Sequence, residues 1–354
     1  MSEQVGFLTM GAAAEADGPI PTIGIGMLGY AFMGKAHSNA FRTIPYMIRP
    51  LAAMPRMVAL CGRNHEAVTA AATRFGYDKV YLDWREMLKD DSIQLFDNGG
   101  PNNVHAEPTI AAAEAGKHVL CEKPLAMTAE ETARVMAHPR AQSLVIAEGF
   151  MVRHHPQWKW ILETIASGQI GKVRAIQAHS CLMLPAGNPG TGLPGEGSLL
   201  LDIGCYSVHL VRTIAGAEPR QISARMEFAA NTQRDNLIRA DLTFDGCYAQ
   251  IFVASTMRPA RRIHVLGTEG SIEVMNPIHP SPDGTSPVRL TNAAGVSEKS
   301  FPRAPQYALQ FQDFSMAVNE QRAPLVTLAD ALANAKALDA IRASAKAGGA
   351  TVGV

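Results

Sequence analysis

The feature that most constrains the fold is a regular alternation of short apolar runs and helical segments between residues 21 and 148. The apolar runs have the length and composition of buried strands. We predict six of them, at 22–28, 57–62, 79–82, 93–97, 118–121 and 143–148. Helical composition and spacing fill the stretches between them. The segment therefore predicts an α/β fold with a doubly wound parallel sheet.

The stretch GIGMLGYAFMGKAH, residues 24–37, contains two overlapping versions of the glycine-rich turn that binds dinucleotide phosphates. Such a turn follows a strand and opens a helix, so that the helix N-terminus faces the pyrophosphate. A turn starting at Gly24 would follow GPIPT, whose two prolines do not suit a central strand. A turn starting at Gly29 follows TIGIGML and places the start of the helix near Phe32. The predicted phosphate-binding residues are Gly29, Ala31, Phe32, Met33 and Gly34.

After residue 149 the alternation gives way to a different pattern. We predict a helix over 149–171, a strand over 173–181, a Gly/Pro-rich loop over 184–197 and a helix over 199–216. Five alternating strands follow, and a helix with one apolar stripe closes the chain over 328–346. This pattern predicts an α+β domain with a mostly antiparallel sheet. The predicted organisation is a loose N-terminal extension (1–20), a dinucleotide-binding domain (21–148) and an α+β domain (149–354).

Charge, hydropathy and cysteine content exclude several classes of protein. Lys plus Arg and Asp plus Glu number 32 each, so there is no net field to attract nucleic acid or an anionic membrane. No run of about 18 apolar residues is present, and the N-terminus lacks the basic start of a signal peptide. Five scattered cysteines favour a reducing cytoplasm, and neither they nor the histidines show metal-ligand spacing. We expect no nucleic-acid partner, no membrane partner and no metal.

From Ile23 to its end the chain resembles the glucose–fructose oxidoreductase / inositol dehydrogenase / rhizopine catabolism family. The segments that carry the resemblance are GYAFMGKAH, GPNNVHAE, AGKHVLCEKPLA, GSLLLDIGCYSVH and PLVTLADALANAKALDAIRASAKAGG. The resemblance implies an N-terminal Rossmann domain, a large open sheet that mediates oligomers, and an NAD(P) cofactor. It also implies a carbohydrate-like small-molecule substrate. We expect a homodimer or homotetramer that buries an apolar face of the open sheet.

The candidate catalytic residues are Lys123, Asp202 and Tyr206. Lys123 follows the fifth strand, at the sheet edge where such folds bind ligands, and its ammonium favours a substrate alkoxide. The resemblance implies that its peptide bond to Pro124 is cis. Asp202 and Tyr206 are four residues apart on a predicted helix, and Tyr206 stands where many relatives have histidine. We expect a neighbouring ammonium to lower the pKa of Tyr206, making it the proton acceptor, while Asp202 orients either the substrate or Lys123.

Two further residues are candidates for substrate contact. By resemblance, Arg153 matches an arginine near the nicotinamide, and Met151 stands where relatives often have asparagine. His209 follows Tyr206 by three residues on the same face. It is either a second titrating group at the substrate or a histidine of the core or a subunit contact, and we favour the latter.

The resemblance also supplies candidate cofactor contacts outside the glycine turn. Pro101, Asn102 and His105 are expected to frame the crossing from adenosine to nicotinamide. Glu122 and Lys123, from the CEKP segment, are expected beside the nicotinamide. Relatives commonly have threonine where Gly100 stands, so one side-chain contact is missing there.

The end of the second strand, Gly62-Arg63-Asn64, bears on the choice between NADP and NAD. NAD-specific domains place Asp or Glu here, where the carboxylate accepts both ribose hydroxyls and repels a 2′-phosphate. Gly62 occupies that position, and Arg63 offers a planar fork of donors that suits a phosphate. Asn64 either adds a hydrogen bond or caps the next helix. We favour NADP over NAD; an Arg63 that only stacks on adenine would leave NAD acceptable.

These features predict an NAD(P)-dependent oxidoreductase that transfers a hydride between nicotinamide and a sugar, polyol or related cyclic alcohol. Two alternatives stay open, a glycosidase that uses NAD transiently and a non-catalytic NAD(P)-binding sensor. The residues that select the substrate are expected in the loop over 184–197 and on the exposed sheet face.

Overall fold

The computed structural model describes residues 19–183, 198–230, 234–281, 283–302 and 304–354. Most of the predicted N-terminal extension and the whole Gly/Pro-rich loop lie outside those ranges. The strands are β1 Thr22–Leu28, β2 Met54–Cys61, β3 Lys79–Tyr81, β4 Leu95–Asn98, β5 His118–Glu122, β6 Ile146–Gly149, β7 Val173–Met183, β8 Gln221–Phe228, β9 Asp235–Thr243, β10 Tyr248–Ala254, β11 Thr256–Gly267, β12 Gly270–Val274, β13 Val288–Asn292, β14 Gly295–Lys299 and β15 Val352–Gly353. The helices are α1 Phe32–Met47, α2 His65–Phe75, α3 Trp84–Met87, α4 Ala106–Glu114, α5 Ala129–Met136, α6 Pro156–Ala166, α7 Cys205–Ala215, α8 Gln306–Glu320 and α9 Leu328–Lys346.

The first six strands form one parallel sheet in the order β3-β2-β1-β4-β5-β6. Strand order reverses between β1 and β4, and in doubly wound sheets ligands bind beside the carboxyl ends of the strands at such a point. The predicted doubly wound sheet is confirmed. The crevice beside the ends of β1, β4 and β5 is therefore where the site is sought.

Strand β1 has the bounds predicted from sequence, which decides between the two glycine turns. Gly24 and Gly26 lie inside the strand, and both meet neighbours too closely for a side chain. A Cβ at Gly24 would overlap the Ser92 carbonyl oxygen, and one at Gly26 would lie 2.8 Å from Ile93 Cδ1. The turn therefore begins at Gly29, as predicted.

The second sheet has nine strands in the order β14-β13-β12-β11-β7-β10-β9-β8-β15. All neighbours pair antiparallel except β7 and β10, so the predicted mostly antiparallel sheet is confirmed. Helices α7 and α9 pack on one face, over a core that includes Ile176, Val253 and Val265. The other face is left uncovered by the described helices.

The uncovered face is mainly polar and charged, so the expectation of an apolar face is wrong. Outward side chains of neighbouring strands form a row of ion pairs, in which Glu273 contacts Arg262 and Arg289, and Arg289 contacts Glu298. Period-2 alternation fixes which side chains point outward, and on β10 they include Gln250 as well as the exposed ring of Tyr248.

The helix predicted over 149–171 is interrupted. Gly149 ends β6, a 3₁₀ turn covers Met151–His154, and α6 begins only at Pro156. Proline suits the first turn of a helix because it has no N–H to leave unpaired, and His155 caps the start by accepting from Gln157 N. Sequence analysis also assigned no element to β13, β14 or α8.

The last two long helices return to the first sheet. Phe311 and Phe314 of α8 join a buried cluster with Phe41 of α1 and Ile25 of β1. On α9, Asp339 Oδ2 accepts a 2.8 Å hydrogen bond from Ala129 N. The predicted domain boundary between residues 148 and 149 does not separate two independent cores, since α8 and α9 lie beyond it and pack against the first sheet and its helices. The boundary stays a prediction.

Candidate active site

The turn after β1 has the geometry that a phosphate-binding turn needs. Gly29 adopts φ +98° and its N–H donates to the Cys61 carbonyl at 2.9 Å, which pins the turn to β2. A Cβ on Gly34 would overlap the Gly29 carbonyl, so the first turn of α1 approaches the glycine turn closely. The N-cap is Ala31, which offers no side-chain acceptor to the first N–H groups. The residues present therefore fit a bound pyrophosphate.

The end of β2 lacks the acidic residue of an NAD site. Gly62 is buried under the ring of Tyr30, and a Cβ at this position would overlap that ring. Arg63 is exposed. Asn64 caps α2, since its Oδ1 accepts from Ala67 N at 2.9 Å. Of the two roles left open for Asn64, the structure has the capping role.

Lys123 directly follows β5 of the first sheet, and its ammonium contacts Asp202 and Tyr206 from the helical segment that packs on the second sheet. Its Nζ donates a 2.8 Å hydrogen bond to the Asp202 carbonyl oxygen and lies 5.0 Å from the centre of the Tyr206 ring. The cation lies over the ring, where the quadrupole attracts it. The Lys123–Pro124 peptide bond is cis, as the resemblance implied. All three candidate catalytic residues therefore meet.

Asp202 does not lie on a regular α-helix as predicted. It belongs to a π-helical turn, Leu200–Gly204, that precedes α7. Such turns occur frequently at functional sites. The Asp202 carboxylate accepts from Asn102 Nδ2 at 2.8 Å, so a predicted cofactor residue contacts a predicted catalytic one. The Asp202 main-chain oxygen contacts Lys123, and both proposed roles of the Asp202 side chain stay predictions.

The expected pKa of Tyr206 is corrected by its surroundings. Burial raises the pKa of its hydroxyl well above the ordinary value, and Glu122 adds to the rise. The hydroxyl points away from Lys123 and donates to Met151 Sδ at 3.5 Å. The expectation that a nearby ammonium lowers this pKa is therefore wrong, because Lys123 faces the ring and burial dominates.

Arg153 and His209, the two candidate substrate residues, contact each other. Arg153 Nη1 lies 3.2 Å from His209 Nε2 and donates to Thr213 Oγ1 at 3.1 Å. His209 is fully buried and stacks on Phe150 with ring centroids 4.0 Å apart. Burial, and then Arg153, lower the pKa of His209 well below its ordinary value. His209 therefore packs in the core beside Arg153, with Asp330 Oδ2 3.2 Å from its Nδ1, and a role of His209 at the substrate stays a prediction.

The loop after β4 is held by a buried histidine. His105 Nδ1 lies 2.6 Å from the Pro124 carbonyl and Nε2 lies 2.9 Å from the Gly100 carbonyl. Asn102 begins the 3₁₀ turn Asn102–Val104, which comes directly before His105, while Pro101 is exposed. His105 therefore links the loop predicted to frame the cofactor to the Lys123–Pro124 segment.

Glu122 has a partner that the sequence did not reveal. Its carboxylate is buried and accepts from His37 Nε2 at 3.1 Å, while His37 Nδ1 bonds to Asp97 Oδ2 at 2.8 Å. His37 is the last residue of the GYAFMGKAH segment, which is the one signal that pointed to it. Within the described ranges no cluster of His, Cys, Asp and Glu has the arrangement of a metal site, and no helix is long and apolar enough to cross a membrane.

The fold and this crevice define an oxidoreductase with an NAD-binding Rossmann domain, and comparison with known proteins agrees. Residues 23–150 match the family model described as an oxidoreductase family with NAD-binding Rossmann fold, and residues 158–273 match the model of the family's C-terminal domain. The chain belongs to the glucose–fructose oxidoreductase / inositol dehydrogenase / rhizopine catabolism family.

Individual relatives cover most of the chain. An uncharacterized oxidoreductase of Rhizobium meliloti is 35% identical over 90% of this chain and 97% of its own length. The D-xylose 1-dehydrogenase (NADP⁺) 2 of Haloferax volcanii is 27% identical over 82% of this chain and 90% of its own. A solved levoglucosan dehydrogenase in complex with NADH and levoglucosan superposes with a TM-score of 0.84 at 25% identity, covering 94% of this chain and 99% of that protein.

Proposed function

We propose that this oxidoreductase interconverts an alcohol and a carbonyl on a sugar, polyol or related cyclic alcohol, using NADP or NAD. The observation that carries the proposal is the Lys123 ammonium at the switch-point crevice, bonded to the Asp202 carbonyl. The names of the relatives that act on xylose and levoglucosan support a sugar-like substrate. A spectrophotometric screen of aldoses, polyols and cyclitols with each cofactor tests it.

In this proposal Lys123 handles the proton. When bound, the nicotinamide ring supplies the hydride chemistry. In carbonyl reduction the Lys123 ammonium donates a proton to the substrate oxygen and is left as the neutral amine; in alcohol oxidation the neutral amine accepts the hydroxyl proton and becomes the ammonium, which stabilises the developing alkoxide. The Asp202 carbonyl and the Tyr206 ring hold that ammonium in place, and Asn102, bonded to the Asp202 carboxylate, connects this arrangement to the cofactor loop.

We predict that kcat/KM is higher with NADP than with NAD, and that Arg63→Ala removes most of that preference. The glycine at position 62 leaves no carboxylate at the ribose position, and the exposed Arg63 follows it directly. A charge-assisted hydrogen bond contributes about 1.5–3 kcal/mol, or roughly 10- to 150-fold in kcat/KM with NADP.

The matched control is Arg56→Ala, an exposed arginine near the start of β2, at the opposite end of that strand from Arg63, which should leave both cofactors unaffected. A wild-type preference for NAD, or an Arg63→Ala enzyme that loses nothing with NADP, contradicts the assignment.

We also infer a homodimer or homotetramer formed through the uncovered face of the nine-stranded sheet. Light scattering at micromolar concentration should give two or four times 37.9 kDa. Tyr248→Asp, which places a charge where the ring is 60% exposed on that face, should shift the mass toward the monomer. Tyr46→Asp, at an 89% exposed ring on α1, should not. A wild-type mass near 37.9 kDa would refute the inference.

For the cellular compartment we propose the cytoplasm. The five cysteines are all buried free thiols, which suits a reducing environment. We expect that thiol labelling, after the purified protein is denatured without reductant, finds five free thiols per chain. A disulfide found in protein purified without reductant would argue against this compartment.

A further inference from the structure

A buried cluster of three ionisable side chains lies beneath the crevice and takes no direct part in the function proposed above. His37, from the middle of α1, binds Asp97 of β4 through Nδ1 and Glu122 of β5 through Nε2, at 2.8 and 3.1 Å. All three are at most 2% exposed. The cluster joins α1, which follows the glycine turn, to β5, which Lys123 directly follows. Asp97 lies 60 residues and Glu122 lies 85 residues after His37 in the chain.

The His37 ring lies between two buried carboxyls, and burial raises the pKa of Asp97 although His37 opposes the rise. Burial alone would lower the pKa of His37, but Asp97 and then Glu122 raise it to about 10. Two bare carboxylates this close in a buried site cannot both stay ionised without a cation. Among the described residues, His37 is the only positively charged side chain bonded to either carboxyl.

The other titratable groups around the two carboxyls do not supply a cation. The neighbouring phenol and thiol groups have raised pKa values through burial, and burial lowers the pKa of the nearby histidine. These groups are Tyr77, Cys121, Cys205, Tyr206, Tyr307 and His105. Burial also raises the pKa of Glu148, on the adjacent strand β6, to about 8, so any ionisation that Glu148 contributes is common to the wild type and the variants. The Lys123 ammonium is bonded to the Asp202 carbonyl instead.

The Glu122 carboxyl contacts the catalytic segment directly. Its Oε2 accepts from the backbone N–H of Lys123 at 3.3 Å, immediately before the cis bond to Pro124. A Cβ at Gly149 on β6 would come within 3.1 Å of Glu122 Oε1, so the carboxyl packs closely against the backbone of Gly149. The orientation of the Lys123 backbone therefore depends on a carboxyl that His37 holds in place.

We propose that His37 is a positioning residue for catalysis, which acts through Glu122 to hold the Lys123 segment in its productive orientation. The inference rests on the proposed function, because it assumes that Lys123 handles the proton. It predicts that the charge of His37, and not only its hydrogen bonds, is required. In the wild type a cation lies between the two carboxyls, so removing that cation is expected to add an ionisation to the pH profile of kcat.

The test compares the pH profile of kcat in the wild type, His37→Gln, and the double variant His37→Gln/Asp97→Asn. Gln retains a donor but removes the charge, so one carboxyl must take up a proton and release it as pH rises. We expect His37→Gln to lose roughly 10- to 100-fold in kcat, as small misplacements of catalytic groups do. We also expect its pH profile to gain an ionisation that the wild type lacks. The double variant removes one carboxyl together with the cation and should lose that extra ionisation.

His118→Gln is the matched control, because His118 lies at the opposite end of β5 and accepts only from Val145 N. It should keep the wild-type kcat and pH profile. A His37→Gln profile that superimposes on the wild type, with a folded protein by thermal melt, would refute the positioning role while leaving the proposed function intact. An inactive wild type, by contrast, would count against the proposed function itself.

Discussion

Replacing Lys123 with methionine is expected to lower kcat by two decades or more while leaving cofactor affinity within about tenfold. Methionine keeps a flexible side chain of similar length but removes the ammonium and its bond to the Asp202 carbonyl. Loss of one positioned acid–base group typically costs about 10²–10⁴-fold in rate, which is at least about 2.7 kcal/mol of transition-state stabilisation. Stopped-flow or steady-state kcat, with cofactor affinity from fluorescence titration, measures both quantities.

Two variants make this result specific. Lys117→Met changes the other lysine of the AGKHVLCEKP segment, which lies at the opposite end of β5 from Lys123. Its Nζ donates to the Asp90 carbonyl, and the variant should keep wild-type turnover. Tyr206→Phe keeps the ring under Lys123 and removes only a buried hydroxyl, so it should cost less than about tenfold. Near wild-type turnover by Lys123→Met, or a larger loss in Tyr206→Phe than in Lys123→Met, would remove Lys123 from its assigned role.

Replacing Gly34 with alanine is expected to weaken cofactor binding by between about 5-fold and about 150-fold. The added Cβ would overlap the Gly29 carbonyl, a backbone atom that cannot rotate away, so the turn and the start of α1 must separate. Forcing such a shift costs about 1–3 kcal/mol, and the phosphate-facing N–H groups lose their alignment as they move. Isothermal titration of the apoprotein with cofactor measures the change.

Gly26→Ala is the control for that variant. Its Cβ would approach side-chain atoms of Ile93 and Met87 and no backbone atom closely, and these side chains can move; Gly26 lies within β1 and not in the turn. We expect a lower melting temperature with cofactor affinity close to wild type. If Gly26→Ala weakened cofactor binding more than Gly34→Ala did, the phosphate would bind to the other glycine turn.

Features set by local sequence were predictable. The bounds of β1 and α9 follow from apolar periodicity, and both match the structure. The glycine turn was placed correctly because proline excludes the alternative strand. In the second region, β14 escaped prediction because all of its residues are exposed, so no apolar alternation marks it.

Features set by distant contacts were not predictable. The partners of His37 come from two other strands, and nothing near residue 37 in the sequence indicates that its ring is charged and buried. For Tyr206, the i,i+4 spacing from Asp202 suggested the right neighbours but the wrong pKa direction. Spacing does not show that Lys123 meets the ring face while the hydroxyl is buried against Met151.

The most direct test of the central claim is the stoichiometry of cofactor reduction. Each active sugar or polyol from the screen is supplied with deuterium at the reacting carbon, and reduced nicotinamide, its deuterium content and remaining substrate are measured together. The account predicts one reduced nicotinamide formed per substrate oxidised, with the deuterium transferred to the cofactor. A protein that binds cofactor but reduces none with any aldose, polyol or cyclitol would contradict it, as would cleavage of a glycoside without net reduction of the cofactor.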